Sequence, residues 1–155
     1  QGALGKYLPK DIAALILRDP TRLSLTGERL PIFTLFTDIQ GFTSLSHTMP
    51  AETTASILNA YLDGMSDIVL KHGGTIDKFV GDAVVAFWGA PIGRDDDGDR
   101  ALAAVTDMMR FCADFGKGSP ERALLGRTRI GLHHGEAIVG NFGGEGRIQY
   151  TALGD

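Results

Sequence analysis

Apolar and β-branched residues run almost without a break from Ile32 to Ile39, the pattern of a strand buried on both faces. Asp38 interrupts that run near its end, where an unpaired charge is expensive to bury. Gly41 follows three residues later and suits a strained turn, and Thr43 and Ser44 offer caps for a helix. The carboxylate is therefore expected at a strand end, beside free backbone N–H groups. From about Ala51 to His72, Ile57, Leu58, Tyr61, Leu62, Met65, Ile68 and Val69 recur at helical spacing, which predicts a long amphipathic helix. Gly73-Gly74 ends it. Thr75 to Val80 and Ala83 to Trp88 read as short strands, and Gly81-Asp82 between them is a two-residue hairpin signal.

The polar stretch GAPIGRDDDGD supplies aspartates to cap a helix from Arg100 to about Phe115, with Leu102, Val105, Met108, Met109 and Cys112 toward the core. GKGSPER is a loop. Arg129 to His134 and Ala137 to Asn141 read as a strand pair around Gly135, and GGEG leads to a last strand, Ile148 to Leu153. Upstream, Pro9 opens a short helix carrying Ile12, Leu15 and Ile16, closed by Asp19-Pro20, and Thr21 to Leu30 read as a polar turn. This order implies an α+β fold, a ferredoxin-like antiparallel sheet with helices packed on one face. Residues 1–29 read as a helix and linker from an upstream region, and 30–155 as the domain proper.

With 155 residues the chain has the length of one domain. Its net charge of -4, from 15 Lys and Arg against 19 Asp and Glu, gives no basic footprint for nucleic acid. An anionic substrate must therefore be held by local groups. The lone Cys112 excludes a disulfide framework and fits a buried small hydrophobe in a reducing, cytoplasmic setting. Neither a membrane-spanning run nor a signal peptide is present. The first residue is Gln1 rather than Met, which suggests a longer parent, one that can be membrane-anchored with this domain on the cytoplasmic side.

Asp82, in IDKFVGDAVVAF, is as oddly placed as Asp38. In a ferredoxin-like topology the first strand lies beside the hairpin, so both carboxylates can meet at one sheet edge. Two aspartates held close repel, and the usual remedies are a shared proton or a divalent cation. Oxygen donors without a nearby thiolate, next to a Gly-Phe-Thr turn, point to Mg²⁺ or Mn²⁺ holding a polyphosphate, and two ions would allow in-line phosphoryl or nucleotidyl transfer. Either aspartate alone is more often a turn former or cap; their joint placement favours chemistry. Lys78 in a hairpin is ordinarily a solvated side chain. His133 and His134 adjoin on a strand and so face opposite ways, which rules against a shared metal site. Trp88 and Met108-Met109 read as core.

TLFTDIQGFTSLS, GGTIDKFVGDAVVAFWGAP, IGLHHGEAIVGNFG and YTALGD, in this order and spacing, resemble the catalytic domain of the class III adenylate and guanylate cyclases over about Leu30 to Asp155. GKYLPKDIAALIL more loosely resembles the segment preceding this domain in bacterial cyclases with upstream sensor modules. The resemblance implies that Asp38 and Asp82 bind two Mg²⁺ or Mn²⁺ ions per site, with the backbone carbonyl of Ile39, and that Gln40, Gly41, Phe42 and Thr43 form the turn facing the triphosphate. It matches Lys78 to the purine-selecting lysine and Thr151 to the second selector. Lys with Thr implies ATP, since guanylate cyclases resemble one another in having Glu and Cys there.

The family's site lies between two head-to-tail protomers, so the resemblance also implies a homodimer in which one copy gives Asp38 and Asp82 and the other Lys78 and Thr151. The implied activity is adenylate cyclase, ATP to cyclic AMP and diphosphate, in signal transduction. Family members continue past YTALGD into a helix with an Asn and an Arg that steady the ribose and the transition state, and then to a phosphate-binding Lys. The domain is thus expected to be incomplete at its C-terminus, and weakly active or inactive by itself. Two alternatives stay open. One is a regulatory domain that dimerises and binds nucleotide without turnover. The other, ranked lower, is a diguanylate cyclase or polymerase-palm relative, because VGDAVV lacks the expected consecutive acidic pair.

Overall fold

Strand β1 (Glu28–Ile39) fixes the frame, and its partner on one side is a single long strand, β4 (Thr128–Asn141). A computed structural model describes residues 28–141 and 150–154; the expected N-terminal helix lies outside these residues. β1 starts two residues ahead of the expected boundary at 30, and residues 28–30 are strand rather than polar turn. Backbone pairing of Glu28, Arg29 and Leu30 with Val139, Ile138 and Ala137 holds them extended. Gly135 makes no turn either: it continues β4 opposite Ile32. The paired backbone of β1 along its whole length overrides the local turn preference of one glycine.

Burial along β1 fits the reading of a strand covered on both faces only in its first half, where Ile32 on one face and Leu35 on the other are each buried. Leu35, Thr37 and Ile39 are buried, whereas Phe36 is 51% exposed. Toward its end the strand thus shows the alternation of an antiparallel sheet with one open face.

After β1, Gly41 takes a left-handed conformation (φ 73°), and helix α1 (Phe42–Ser46) begins at once, so Thr43 and Ser44 lie within the helix and do not cap it. Helix α2 (Ala51–Lys71) buries Ile57, Tyr61, Met65 and Val69, and Gly73 at φ 78° ends it. Strands β2 (Thr75–Val80) and β3 (Ala83–Trp88) follow, joined by the two-residue Gly81-Asp82 turn. Gly81 is again left-handed, at φ 60°.

Helix α3 (Asp97–Phe115) starts three residues before Arg100. Asp97 is 6% exposed. It accepts the Arg94 N–H at 2.6 Å and the Arg100 guanidinium at 2.7 Å. Arg100 also donates to the His72 carbonyl at 3.2 Å, which receives the Trp88 indole N–H at 3.0 Å. One buried carboxylate thus ties the start of α3 to the end of α2. Breaking a buried pair leaves an uncompensated charge, so Asp97→Ala is expected to lower unfolding stability by about 3 kcal/mol. Urea denaturation measures this; a loss below about 1 kcal/mol, the worth of an exposed pair, would show that the link is dispensable.

The core face of α3 is Ala101, Ala104, Met108 and Phe115, while Leu102 and Met109 are exposed, contrary to the pattern reading. Small alanines let the helix close on its neighbours, which turns Leu102 and Met109 to the far side. Gly64 of α2 serves the same approach, since a Cβ there would run into the Phe111 ring of α3. Cys112 is half-buried; burial raises its thiol pKa, and the Thr128 hydroxyl donates to its sulfur at 3.2 Å. Trp88 and Met108 are core as expected.

Strand β5 (Tyr150–Gly154) pairs with Ala137–Asn141; residues 148 and 149, where its start was expected, lie outside the described set. The sheet has five antiparallel strands in the order β2-β3-β1-β4-β5. Helices α2 and α3 pack on one face against Leu35, Ile39, Val84, Ala86 and Trp88. This is the ferredoxin-like α+β arrangement with one strand added beyond β4. His134 stacks on Phe33, ring centroids 4.1 Å apart, and His133 falls on the opposite face.

Candidate active site

The pairing of β1 with β3 runs from Phe33↔Trp88 to Thr37↔Val84, which carries the end of β1 to the Gly81-Asp82 turn. There the Ile39 N–H donates to Asp82 Oδ2 at 2.7 Å. Asp38 has a different partner. Its register position on β4 is Arg129, whose Nε donates to Oδ1 at 2.7 Å and Nη2 to Oδ2 at 2.9 Å. This two-pronged contact is the fork geometry that matches guanidinium to carboxylate. The Asp38 hydrogen bonds raise the Arg129 pKa, and the charges of Asp38 and then Asp82 add to the rise. The guanidinium therefore lies in the field of both carboxylates, which share one end of the sheet around the central strand.

Arg129 is the residue that sequence reasoning did not single out. It opens an apolar strand in RTRIGL, where a cation ordinarily reads as a solvated strand end.

The Gln40–Thr43 turn stands beside this end. Gln40 gives its N–H to the Arg127 carbonyl at 2.9 Å, so that amide is spent within the chain. A Cβ at Gly126 would overlap the Gln40 carbonyl oxygen, so the α3–β4 loop packs closely against the turn. Phe42 is buried and anchors it, Gly41 and Thr43 are exposed, and the first N–H groups of α1 lack intrahelical partners. Beneath the strand end lies a cavity of about 80 Å³ lined by Ile39, Tyr61, Cys112 and Thr128 among others. Tyr61 is buried, and burial pushes its hydroxyl pKa up to about 12.

Lys78 is exposed on β2, opposite Val85, and by strand parity shares the open sheet face with Phe36 and Asp38. Thr151 lies on β5 opposite Gly140. β2 and β5 are the outer strands of the sheet, yet their backbones come into contact, which brings together the strands carrying Lys78 and Thr151.

Among the described residues no cluster of three or more His, Cys, Asp or Glu could hold a metal ion. The groups at the strand end that could hold a cation are Asp38, Asp82 and neighbouring backbone carbonyls, hard oxygen donors of the kind that suits Mg²⁺ or Mn²⁺ rather than a thiolate-seeking ion. The guanidinium held by Asp38, in the field of Asp82, is consistent with a positive charge at this end of the sheet.

Residues 28–155 match the family model described as "Adenylate and Guanylate cyclase catalytic domain". Adenylate cyclase 1 of Rhizobium meliloti is 35% identical over 154 residues, which cover 96% of this chain and 23% of that protein. An uncharacterised protein of Mycobacterium tuberculosis is 34% identical over 150 residues, 97% of this chain and 26% of its own length. The chain thus spans about a quarter of the length of these curated relatives. The crystal structure of the adenylyl cyclase CyaB from P. aeruginosa superposes with a TM-score of 0.77 at 38% identity, covering 84% of this chain and 68% of that one. A crystallised guanylyl cyclase superposes with a TM-score of 0.75 at 37% identity, covering 83% and 66%. With the whole of the described sheet inside residues 28–155, the chain belongs to the family of adenylate and guanylate cyclase catalytic domains.

Proposed function

We propose that this domain is an adenylate cyclase, converting ATP to 3′,5′-cyclic AMP and diphosphate at a site completed by a second copy of itself. The observation that carries the reading is the convergence of Asp38 and Asp82 at one strand end, through the Ile39–Asp82 and Asp38–Arg129 contacts. Asp38, Asp82 and the Ile39 carbonyl would hold Mg²⁺ or Mn²⁺. Two such ions supply, when bound, polarisation of the ribose 3′-hydroxyl and neutralisation of phosphate charge. The chain's own part is orientation: the aspartates set the metal end, and the amides after Gly41 face the polyphosphate at a helix start.

Base choice falls to Lys78 and Thr151. An ammonium and a hydroxyl can serve the adenine N1 acceptor and N6 donor, whereas guanine presents the opposite pattern. The approach of β2 to β5 supports their acting together. Lys78 and Asp82 lie in one hairpin, too close to serve opposite ends of a single ATP, which supports a head-to-tail dimer with two shared sites. Phe36 and Val80, both exposed on the open face of the sheet, give that dimer an apolar surface to cover.

Among the described residues no helix is long and apolar enough to cross a membrane. This and the single reduced Cys112 support a cytoplasmic domain. The greater length of the relatives supports a signalling parent with sensor domains outside this chain. A regulatory domain that binds nucleotide without turnover is the second reading, favoured by the occupation of Asp38 by Arg129.

Exchange of the selectors tests the substrate. In the longer parent protein, Lys78→Glu with Thr151→Cys should reduce ATP turnover about 100-fold, since each unpaired polar group in a buried base pocket costs about 1–2 kcal/mol. Rates measured with ATP and GTP check this, and an unchanged preference would mean that the base is read elsewhere.

A further inference from the structure

We infer that Arg129 is a resident counter-ion that guards the cation site, so that a divalent ion at Asp38 must either displace the guanidinium or bind against its charge. This rests on the reading of Asp38 as a metal ligand. Asp82 and Asp38 are prepared differently. Asp82 is steadied through one oxygen by a neutral backbone N–H, at 2.7 Å, which brings no competing charge. Asp38 has both oxygens engaged by a cation, at 2.7 and 2.9 Å.

Strand alignment does not require the Asp38–Arg129 pair. The two side chains are 41% and 60% exposed, and exposed ion pairs contribute little to folding. The strands they bridge are already registered along their length from Glu28↔Val139 to Ile39↔Thr128, so the pair is not needed to align them. What it does change is the charge beside Asp38. A carboxylate can accept at about four lone-pair positions, and the fork uses one on each oxygen. It leaves a positive charge beside the carboxylate, opposing a divalent ion across a separation on the order of 5 Å. In a water-like dielectric that opposition corresponds to roughly tenfold in affinity. An exposed guanidinium on a flexible stem can move aside at small cost, so the guard is reversible.

Mn²⁺ binding to the nucleotide-free, 155-residue chain, followed by calorimetry and by the electron paramagnetic resonance of free Mn²⁺, tests the inference without any need for turnover. Arg129→Ala and Arg129→Gln should each bind Mn²⁺ about tenfold tighter than the unmodified chain. Arg129→Lys, which keeps the charge and loses the fork, should fall between. Asp38→Asn should remove the binding and so establishes that the ion measured is the one at Asp38. If binding depends on Asp38 but is unchanged or weaker in folded Arg129→Ala and Arg129→Gln, the guard is overturned and the metal site stands. If neither the unmodified chain nor any Arg129 variant shows Asp38-dependent binding, both the guard and the metal reading are overturned.

Discussion

Replacing Asp38 or Asp82 by alanine is expected to remove Mn²⁺-supported cyclisation of ATP by the proposed parent protein, by about 1,000-fold or more. Each aspartate supplies fixed negative charge that nothing else at the strand end provides, because the described residues near it hold no third acidic, thiol or imidazole ligand. The fold should survive both changes, with unequal cost. Asp38→Ala gives up an exposed pair with Arg129, worth about 1 kcal/mol or less. Asp82→Ala leaves the Ile39 N–H without its acceptor, which costs about 1–3 kcal/mol where water cannot replace it. Carboxylate repulsion alone would suggest that removing one charge stabilises the metal-free protein. The partners found here reverse that sign. Circular dichroism and urea melts measure stability alongside rates, and turnover retained by either folded variant would remove the two-aspartate assignment.

The parts of the fold legible in the sequence are those set by short-range chemistry. Gly41, Gly73 and Gly81 each take the left-handed conformation their contexts suggested. The apolar spacing of α2 and the two-residue β2–β3 turn also read directly. The meeting of Asp38 and Asp82 was legible one step further on, because the topology that follows from the element order puts β1 beside the hairpin.

What escaped depends on partners distant in the chain. Arg129 stands 91 residues from Asp38, and only the register of β4 on β1 reveals that they face each other. Gly135 looks like a turn until β1 is laid alongside it. Leu102 and Met109 outweigh Ala101 and Ala104 in a hydrophobic pattern, yet the alanines make the close approach. Phe36 belongs to an unbroken apolar run, yet unlike Ile32 on the same face it stays exposed.

Mixing two inactive variants should restore activity. Lys78→Ala and Asp82→Ala each damage both sites of their own homodimer. A mixed dimer has one site with an intact Lys78 from one copy and an intact Asp82 from the other. Equal amounts should reach about a quarter of unmodified activity, because half of the dimers are mixed and each mixed dimer has one good site of two. Activity should climb faster than linearly with protein concentration until dimers dominate. No recovery at any ratio, from variants that fold and dimerise, would leave an intrachain site or a non-catalytic domain.

The most direct measurement is identification of the product. The longer parent is incubated with Mn²⁺ and ATP or GTP labelled at the α-phosphate, and the nucleotides are separated and assigned by mass. Label from ATP appearing in 3′,5′-cyclic AMP, with diphosphate released in equal amount and little product from GTP, is the expected result. Cyclic GMP as the main product would contradict the base assignment, and the absence of any cyclic nucleotide from a folded, dimeric, Mn²⁺-loaded protein would contradict the cyclase reading itself.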